Sequence, residues 1–357
     1  LEFFPDATMS TADPVLDTLF RPFSEQALIL PTEEILFLRA RDGAALRGLP
    51  LQGLTCEQTY KPDADALQRA GFRIDNSEKS RRYSLTLVLP PRQRDEARAL
   101  LARAISATKA GGRVIACGAN DEGAKSHESD LEKLAGPLTT LSKSKCRVFW
   151  TGPLGGELNR TLLNEWQALD APRPICEGRF VSRPGVFAWD RIDVASGLLA
   201  KHLPPALAGQ AADLGAGFGY LAHELLTRCP GVTSLDLYEA EKRALDLAQT
   251  NLTAFAGRVK VGFNWLDVSN GLPHSYDVIV SNPPFHAQRG TDRPDIGRRF
   301  ITVAAQSLNP GGRLWLVANR HLPYESVLDN NFGTVRIVTQ AHGFKIIEAI
   351  KSSRKKR

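Results

Sequence analysis

Asn282-Pro283-Pro284-Phe285 is the stretch best equipped for chemistry. It follows Tyr276-Asp277-Val278-Ile279-Val280-Ser281, an apolar run that predicts a buried parallel strand. Two consecutive prolines continue neither a strand ladder nor a helix, so the chain must stop there in a stiff, open turn. In doubly wound α/β sheets, that carboxyl edge is where ligands bind. The turn sets an amide, a prolyl carbonyl and an aromatic ring side by side. The amide oxygen and the carbonyl can accept both hydrogens of a planar NH2 group, and the ring can stack on the flat group that bears it. A strand-ending turn with a core Phe has the same sequence, and the residues upstream decide between the two.

Asp213-Leu214-Gly215-Ala216-Gly217-Phe218-Gly219 follows a predicted strand and opens a predicted helix, Tyr220 to Cys229. Alternating glycines let a backbone turn tightly and approach a ligand without Cβ interference. The spacing is G-x-G-x-G, not the G-x-G-x-x-G dinucleotide fingerprint. Glu239 ends the next predicted strand, where a carboxylate can accept hydrogen bonds from both ribose hydroxyls. Asp267-Val268 follows a third, and Asp267 can accept from an adenine amine. Each acid alone also reads as a surface residue. In series, ahead of Asn-Pro-Pro-Phe, they describe a pocket for an adenosine with a glycine loop under its tail.

The elements that must position these residues come in two similar series. Short apolar runs at 27–30, 35–38, 54–57 and 85–89, a helical pattern from Glu96 to Lys109 and Gly111-Gly112-Arg113 before a strand make up the first. The second has strands at 211–214, 235–239, 259–263 and 276–281, helices at 241–255 and 297–308, and Gly311-Gly312-Arg313 before a strand. Glu57 aligns with Glu239, Pro90-Pro91 with Pro283-Pro284, and the Gly-Gly-Arg triplets with each other, which implies duplication of one α/β unit. Leu89 then stands where Asn282 stands, and Arg39-Ala40-Arg41 where the second copy has glycines. The boundary falls in the Pro- and Gly-containing stretch 170–184.

With these motifs the chain resembles the class I S-adenosylmethionine-dependent methyltransferases, among which Asn-Pro-Pro-[Phe/Tyr] marks enzymes that methylate exocyclic or amide nitrogens. Asn282 to His286, Pro184-Gly185-Val186-Phe187, Val317 to Tyr324 and Gly343-Phe344-Lys345-Ile346 are similar to the ribosomal RNA guanine-N2 methyltransferases of the RsmC/RlmG type. The resemblance is specific over about 184–350. It implies two tandem Rossmann-like domains: a degenerate one over 10–170 that has lost its cofactor site, and a catalytic one over 184–357. The catalytic sheet should have seven strands, the last antiparallel, with 332–340 and 344–350 as a terminal hairpin. S-adenosylmethionine is the implied cofactor, held by Asp213, Gly215, Ala216, Gly217 and Gly219 at the methionine moiety, Glu239 at the ribose, and Asp267-Val268 at the adenine. Asn282, Pro283, Pro284 and Phe285 form the implied catalytic turn. His286 and Arg289 follow it as candidate substrate contacts, and Phe187 either covers the pocket or fills the core.

The implied partner is ribosomal RNA or the small ribosomal subunit, with the small subunit's 16S RNA favoured. Competing readings are guanine-N2 methylation of large-subunit RNA, adenine-N6 methylation, methylation of a protein glutamine amide and, from another class, a non-catalytic assembly factor. A cytoplasmic enzyme without metal is expected. The five cysteines are scattered without CxxC spacing, and no apolar run is long enough to span a membrane. Met9 is the only methionine, so residues 1–8 read as an upstream start or a vector remnant. Residues 1–180 balance 24 basic against 24 acidic side chains, so the net charge of +6 lies wholly in the second half. Five positive charges fall in the last seven residues, as a phosphate contact or a solubilising end. The first domain therefore contacts RNA only through local clusters, with Lys79, Arg81, Arg82, Arg92 and Arg94 as candidates for a substrate platform. Because a carboxylate also accepts hydrogen bonds, Asn282→Asp is expected to be milder than Asn282→Ala.

Overall fold

A computed structural model describes residues 13–353 except 33, 51–52, 77–80, 157 and 285–293. The chain divides after Ala171 into two compact units.

The first unit holds a six-stranded sheet built from β1 (Ile35–Leu38), β2 (Leu54–Glu57), β3 (Tyr83–Val88), β4 (Thr108–Ala119), β5 (Leu138–Lys143) and β6 (Cys146–Thr151). Their order is β2-β1-β3-β4-β6-β5, with β6 antiparallel to both neighbours. β1 and β2 are buried along their whole length because helices cover both sheet faces, which is why they read as continuous apolar runs. The expected strand at 27–30 is absent. That segment follows the short helix Arg21–Ser24 as bends and coil, and Ile29 is 94 % exposed. Without a partner strand, its apolar character alone does not make it a strand.

The second unit opens with a small hairpin, β7 (Arg173–Ile175) and β8 (Phe180–Ser182). Ile175 and Phe180 pack with Val186, Phe218, Ala244 and Leu247, so most of the stretch 170–184, in which the boundary was expected, packs with this unit. Its main sheet comprises β9 (Ala208–Leu214), β10 (Gly231–Glu239), β11 (Lys260–Trp265), β12 (Tyr276–Ser281), β13 (Leu308–Asn319), β14 (Thr334–Ala341) and β15 (Phe344–Ile350). The order is β11-β10-β9-β12-β13-β15-β14, and the last strand runs antiparallel to both neighbours, as the resemblance implied.

The two sheets share one topology, less one strand. β1, β2, β3, β4, β6 and β5 correspond to β9, β10, β12, β13, β15 and β14, and among the described residues β11 has no full counterpart. What remains of it is a single parallel bridge from Cys56 to Ile74, flanked by hydrogen bonds from the Cys56 amide to Arg73 and from the Asp75 amide to Cys56. Register corrects one sequence alignment. Leu38 pairs with Glu57 as Leu214 pairs with Tyr238, so Gln58, not Glu57, is the counterpart of Glu239. The local bonding agrees: Tyr60 N–H donates to Gln58 Oε1 as Glu241 N–H donates to Glu239 Oε1.

Candidate active site

Leu214 lies in register with Ser281 on one side and Tyr238 on the other, and Glu239 with Trp265. Four parallel strands thus end along one edge, and the residues that follow them leave the sheet together. Ser281 Oγ donates to the Leu214 carbonyl at 2.8 Å, tying the strand before the proline turn to the strand before the glycine loop. A Cβ placed on Gly215 would lie 3.9 Å from the Asn282 carbonyl oxygen, so loop and turn are neighbours.

Gly215, Gly217 and Gly219 have φ of +72°, +55° and +89°. Side-chain-bearing residues rarely adopt this left-handed conformation. At Gly219 a Cβ would come within 3.1 Å of Ala248 Cβ, so the glycine permits close packing against the helix Lys242–Asn251. At Gly217 nothing lies within 4 Å, and its bare face looks onto open space. The loop is held from below: the Gly215 and Ala216 amides donate to the Tyr238 carbonyl at 2.9 and 3.2 Å, and Gly217 N–H donates to Glu239 Oε2 at 2.7 Å.

Glu239 Oε1 also accepts from Glu241 N–H at 2.8 Å. Each oxygen keeps a second lone pair, which suits a vicinal diol. Burial raises the Glu239 carboxyl above its usual range, and the Glu241 and Gly217 amides oppose that rise. Asp267 caps the short turn Val268–Asn270, with Oδ1 accepting from Ser269 N–H at 2.9 Å, so one of its two oxygens is committed. The Val268 side chain is 3 % exposed and packs in the core with Tyr238 and Phe300, so it offers no side-chain contact to a ligand at the edge. Arg299, exposed, donates to the Ser269 carbonyl at 2.7 Å.

Asp213 departs from the expectation of a ligand contact. It is 0 % exposed beneath the loop, and neither carboxylate oxygen has a hydrogen-bond partner among the described residues. Burial pushes its carboxyl up to about 8, and the Glu239 carboxylate adds to the rise.

Asn282 is half-buried, Pro283 buried and Pro284 exposed. The Asn282 Nδ2 group donates to Asp193 Oδ2 at 2.9 Å and to Ser196 Oγ at 2.8 Å. Asp193 is the N-cap of the helix Val194–His202 and also accepts from Ser196 N–H at 2.8 Å. Neither residue was singled out by sequence reasoning. Asp-x-x-Ser ahead of an apolar run does mark a helix start. Nothing in the sequence says that this cap faces an amide 89 positions later. Phe187 is 66 % exposed, which excludes the core reading. Phe285, His286 and Arg289 lie outside the described residues, as does Lys79.

The platform arginines do not form one cluster. Arg81 and Arg82 precede β3, whereas Arg92 and Arg94 follow it, so a strand of roughly 20 Å separates the pairs. Arg81 lies over the Tyr83 ring and Arg94 pairs with Asp130. Among the described residues no three His, Cys, Asp or Glu side chains gather as a metal site, and no helix is long and apolar enough to cross a membrane.

The geometry fits an adenosyl cofactor. A glycine loop bares its backbone at Gly217, a carboxylate stands beside it at Glu239, and an amide at Asn282 adjoins the loop. Comparison with known proteins agrees. Residues 177–348 match the methyltransferase small domain. Ribosomal RNA small subunit methyltransferase C of Psychromonas ingrahamii is 28 % identical over 278 residues, covering 77 % of this chain and 78 % of that protein. The protein of the same name from Cronobacter sakazakii is 31 % identical over 269 residues, 75 % of each. The T. thermophilus 16S rRNA N2 G1207 methyltransferase (RsmC), solved in complex with AdoMet and guanosine, superposes with a TM-score of 0.77 at 26 % identity, covering 96 % of this chain and 93 % of that one. With that identity to the Cronobacter protein across three quarters of both, the chain belongs to the ribosomal RNA small subunit methyltransferase C family.

Proposed function

We propose that this protein transfers a methyl group from S-adenosylmethionine to the exocyclic N2 of a guanine in the 16S RNA of the small ribosomal subunit, working in the cytoplasm. The observation that carries the reading is the Asn282 amide, fixed beside the glycine loop with its oxygen end uncommitted among the described residues. The relatives' names and the AdoMet and guanosine bound to the T. thermophilus enzyme supply the substrate class.

When bound, S-adenosylmethionine supplies a methyl on a sulfonium, whose C–S bond breaks as the N–C bond forms. The open face at Gly217 admits the cofactor's tail, and the Glu239 oxygens accept from the ribose hydroxyls. The N2 amine of guanine is a weak nucleophile because its lone pair is delocalised into the ring. The Asn282 oxygen and the Pro284 carbonyl each accept one of its N–H groups, which aims the lone pair and favours the positive charge that develops on nitrogen. The surplus proton leaves after transfer, so no strong base is needed before attack. The family resemblance, not the described structure, assigns Phe285 the role of stacking on the base once it has swung out of its RNA context.

The first unit serves as a substrate platform and binds no cofactor. Arg39 occupies the Gly215 position, Gln58 the Glu239 position and Leu89 the Asn282 position, which supports this reading. Incubation with methyl-labelled cofactor and unmethylated small-subunit RNA, followed by nucleoside mass spectrometry, tests the function. N2-methylguanosine is the expected product; N6-methyladenosine, or label confined to protein glutamine, overturns the assignment.

A further inference from the structure

We infer that Asp193 and Ser196 are positioning residues that fix which end of the Asn282 amide meets the substrate, an inference that rests on the proposed amine methylation. An NH2 group has two hydrogens, and both are taken: one by Asp193 Oδ2 at 2.9 Å, the other by Ser196 Oγ at 2.8 Å. A carboxylate oxygen only accepts. The reversed amide would set Oδ1 against Asp193 Oδ2, two acceptors in contact, with no proton between them. The carboxylate therefore selects one of two amide orientations that are otherwise nearly equal in shape. In the selected one, Oδ1 is the polar atom that remains, and it is the acceptor an incoming N–H requires.

The two helpers are themselves held. Ser196 N–H donates to the same Asp193 oxygen at 2.8 Å, so carboxylate and hydroxyl sit on the first turn of one helix in a fixed relation. Ser196 is buried, and the helix packs on β13 and β15. Rigid support of this kind converts a rotatable amide into a preorganised acceptor.

The arrangement reverses the expectation for Asn282→Asp. A carboxylate at that position would face Asp193 Oδ2 across the distance now spanned by a hydrogen bond, and two like charges there repel. Asn282→Asp is therefore at least as damaging as Asn282→Ala. Exchanging the two groups restores the pairing. In Asp193→Asn combined with Asn282→Asp, the new amide donates to the new carboxylate, whose other oxygen accepts from the substrate. Asp193 Oδ2 accepts from both Asn282 and Ser196, so the new amide must turn its nitrogen to the new carboxylate and its oxygen to the Ser196 N–H; asparagine in that orientation is a good N-cap.

The experiment uses the full chain with unmethylated small-subunit RNA in single-turnover methyl transfer, with cofactor affinity measured by calorimetry alongside. Asn282→Asp is expected to lose roughly 100-fold or more in rate and Asp193→Asn about tenfold, both with near-normal cofactor affinity. The double exchange should run at least about tenfold faster than Asn282→Asp alone, a non-additivity that separate structural damage does not produce. A double exchange no faster than Asn282→Asp, or Asn282→Asp at wild-type rate, overturns the inference. An independent readout needs no activity. In 15N-labelled protein, the Asn282 NH2 signals, assigned by their loss in Asn282→Ala, should be slow to exchange and should lose that protection in Asp193→Ala. Unchanged protection overturns the inference. Wild-type protein that methylates no guanine N2 yet shows the protected signals defeats the functional reading and leaves the positioning role standing.

Discussion

Asp13 and Asp193 cap corresponding helices in the two units and meet different partners. The helix Pro14–Leu19 packs on β4 and β6, and Val194–His202 packs on the corresponding β13 and β15. Asp193 holds Asn282, whereas Asp13 pairs with Arg41 at 3.2 Å. Arg41 stands at the position of Gly217, where the second unit has open space. Two residues earlier, Arg39 keeps the left-handed backbone of its counterpart Gly215, with φ of +53°, and its guanidinium donates to the Leu89 carbonyl at 3.2 Å. The first unit has thus closed on itself. Arginines cross the edge that glycines leave bare in the second, and they satisfy the polar groups there without a ligand. Gln58 extends the pattern: its Nε2 donates to the Ala40 carbonyl at 2.7 Å, where Glu239 accepts from a loop amide instead. Backbone groups at a strand edge must be satisfied whether or not a ligand lies there, and internal side chains do so in the first unit.

The sharpest test of this contrast is Asn282→Ala, which makes the second unit apolar at that position, as Leu89 makes the first. Single-turnover transfer should fall by roughly two to three orders of magnitude, the scale for one preorganised polar contact, with cofactor affinity retained. Near-normal turnover would mean that the amide is not what distinguishes the units. Next, Gly217→Arg copies Arg41 into the catalytic loop. The new guanidinium can reach Asp193 as Arg41 reaches Asp13, and cofactor affinity should fall at least about 30-fold, equivalent to roughly 2 kcal/mol. Calorimetry on the wild-type chain should count one site, and a second site would break the comparison outright. Glu239→Gln installs the first unit's Gln58 and removes the charge proposed to accept from the ribose. Affinity should weaken by about 1–2 kcal/mol, the cost of a lost charge-assisted hydrogen bond.

The smallest effect concerns Asp213, whose counterpart by register is the fully buried Phe37. Burial raises the Asp213 carboxyl from 3.8 to about 8 in the folded chain. Its contribution to stability is therefore fully present below about pH 4. It declines as pH rises towards 8, because the unfolded chain releases a proton that the folded chain retains. Above 8 the loss levels off. Asp213→Asn should thus gain stability relative to wild type between pH 4 and 8, on the order of 1 kcal/mol after relaxation of the site. Thermal melts at pH 4, 6 and 8 test this, and a stability difference that does not change with pH would show that the carboxyl stays ionised in the fold.

Much of the second unit was legible in the chain. Strand β12 spans the expected Tyr276–Ser281, and the glycine loop, Glu239, Asp267 and Asn282 all fall at one sheet edge. These features are local: apolar runs, glycine spacing and paired prolines act within a few residues. Sequence pattern and structure part where a neighbour distant in sequence decides the outcome. The run at 27–30 has the composition of a strand and no partner, and Glu57 was aligned with Glu239 when register puts Gln58 there. Phe187, open to either reading in the chain, proved exposed, and the Val268 side chain proved to be core.

The sequence by itself determined the fold class, the duplication and the types of group available at the catalytic edge, because hydrophobic period and turn chemistry are properties of short stretches. Only the tertiary structure decided what those groups can do. Asp193 and Asn282 are 89 residues apart, and their pairing depends on a helix cap and a strand end meeting across the sheet. Whether an amide offers its oxygen or its nitrogen to a substrate is set by what occupies its other end, and that neighbour is a matter of packing, which no local pattern encodes.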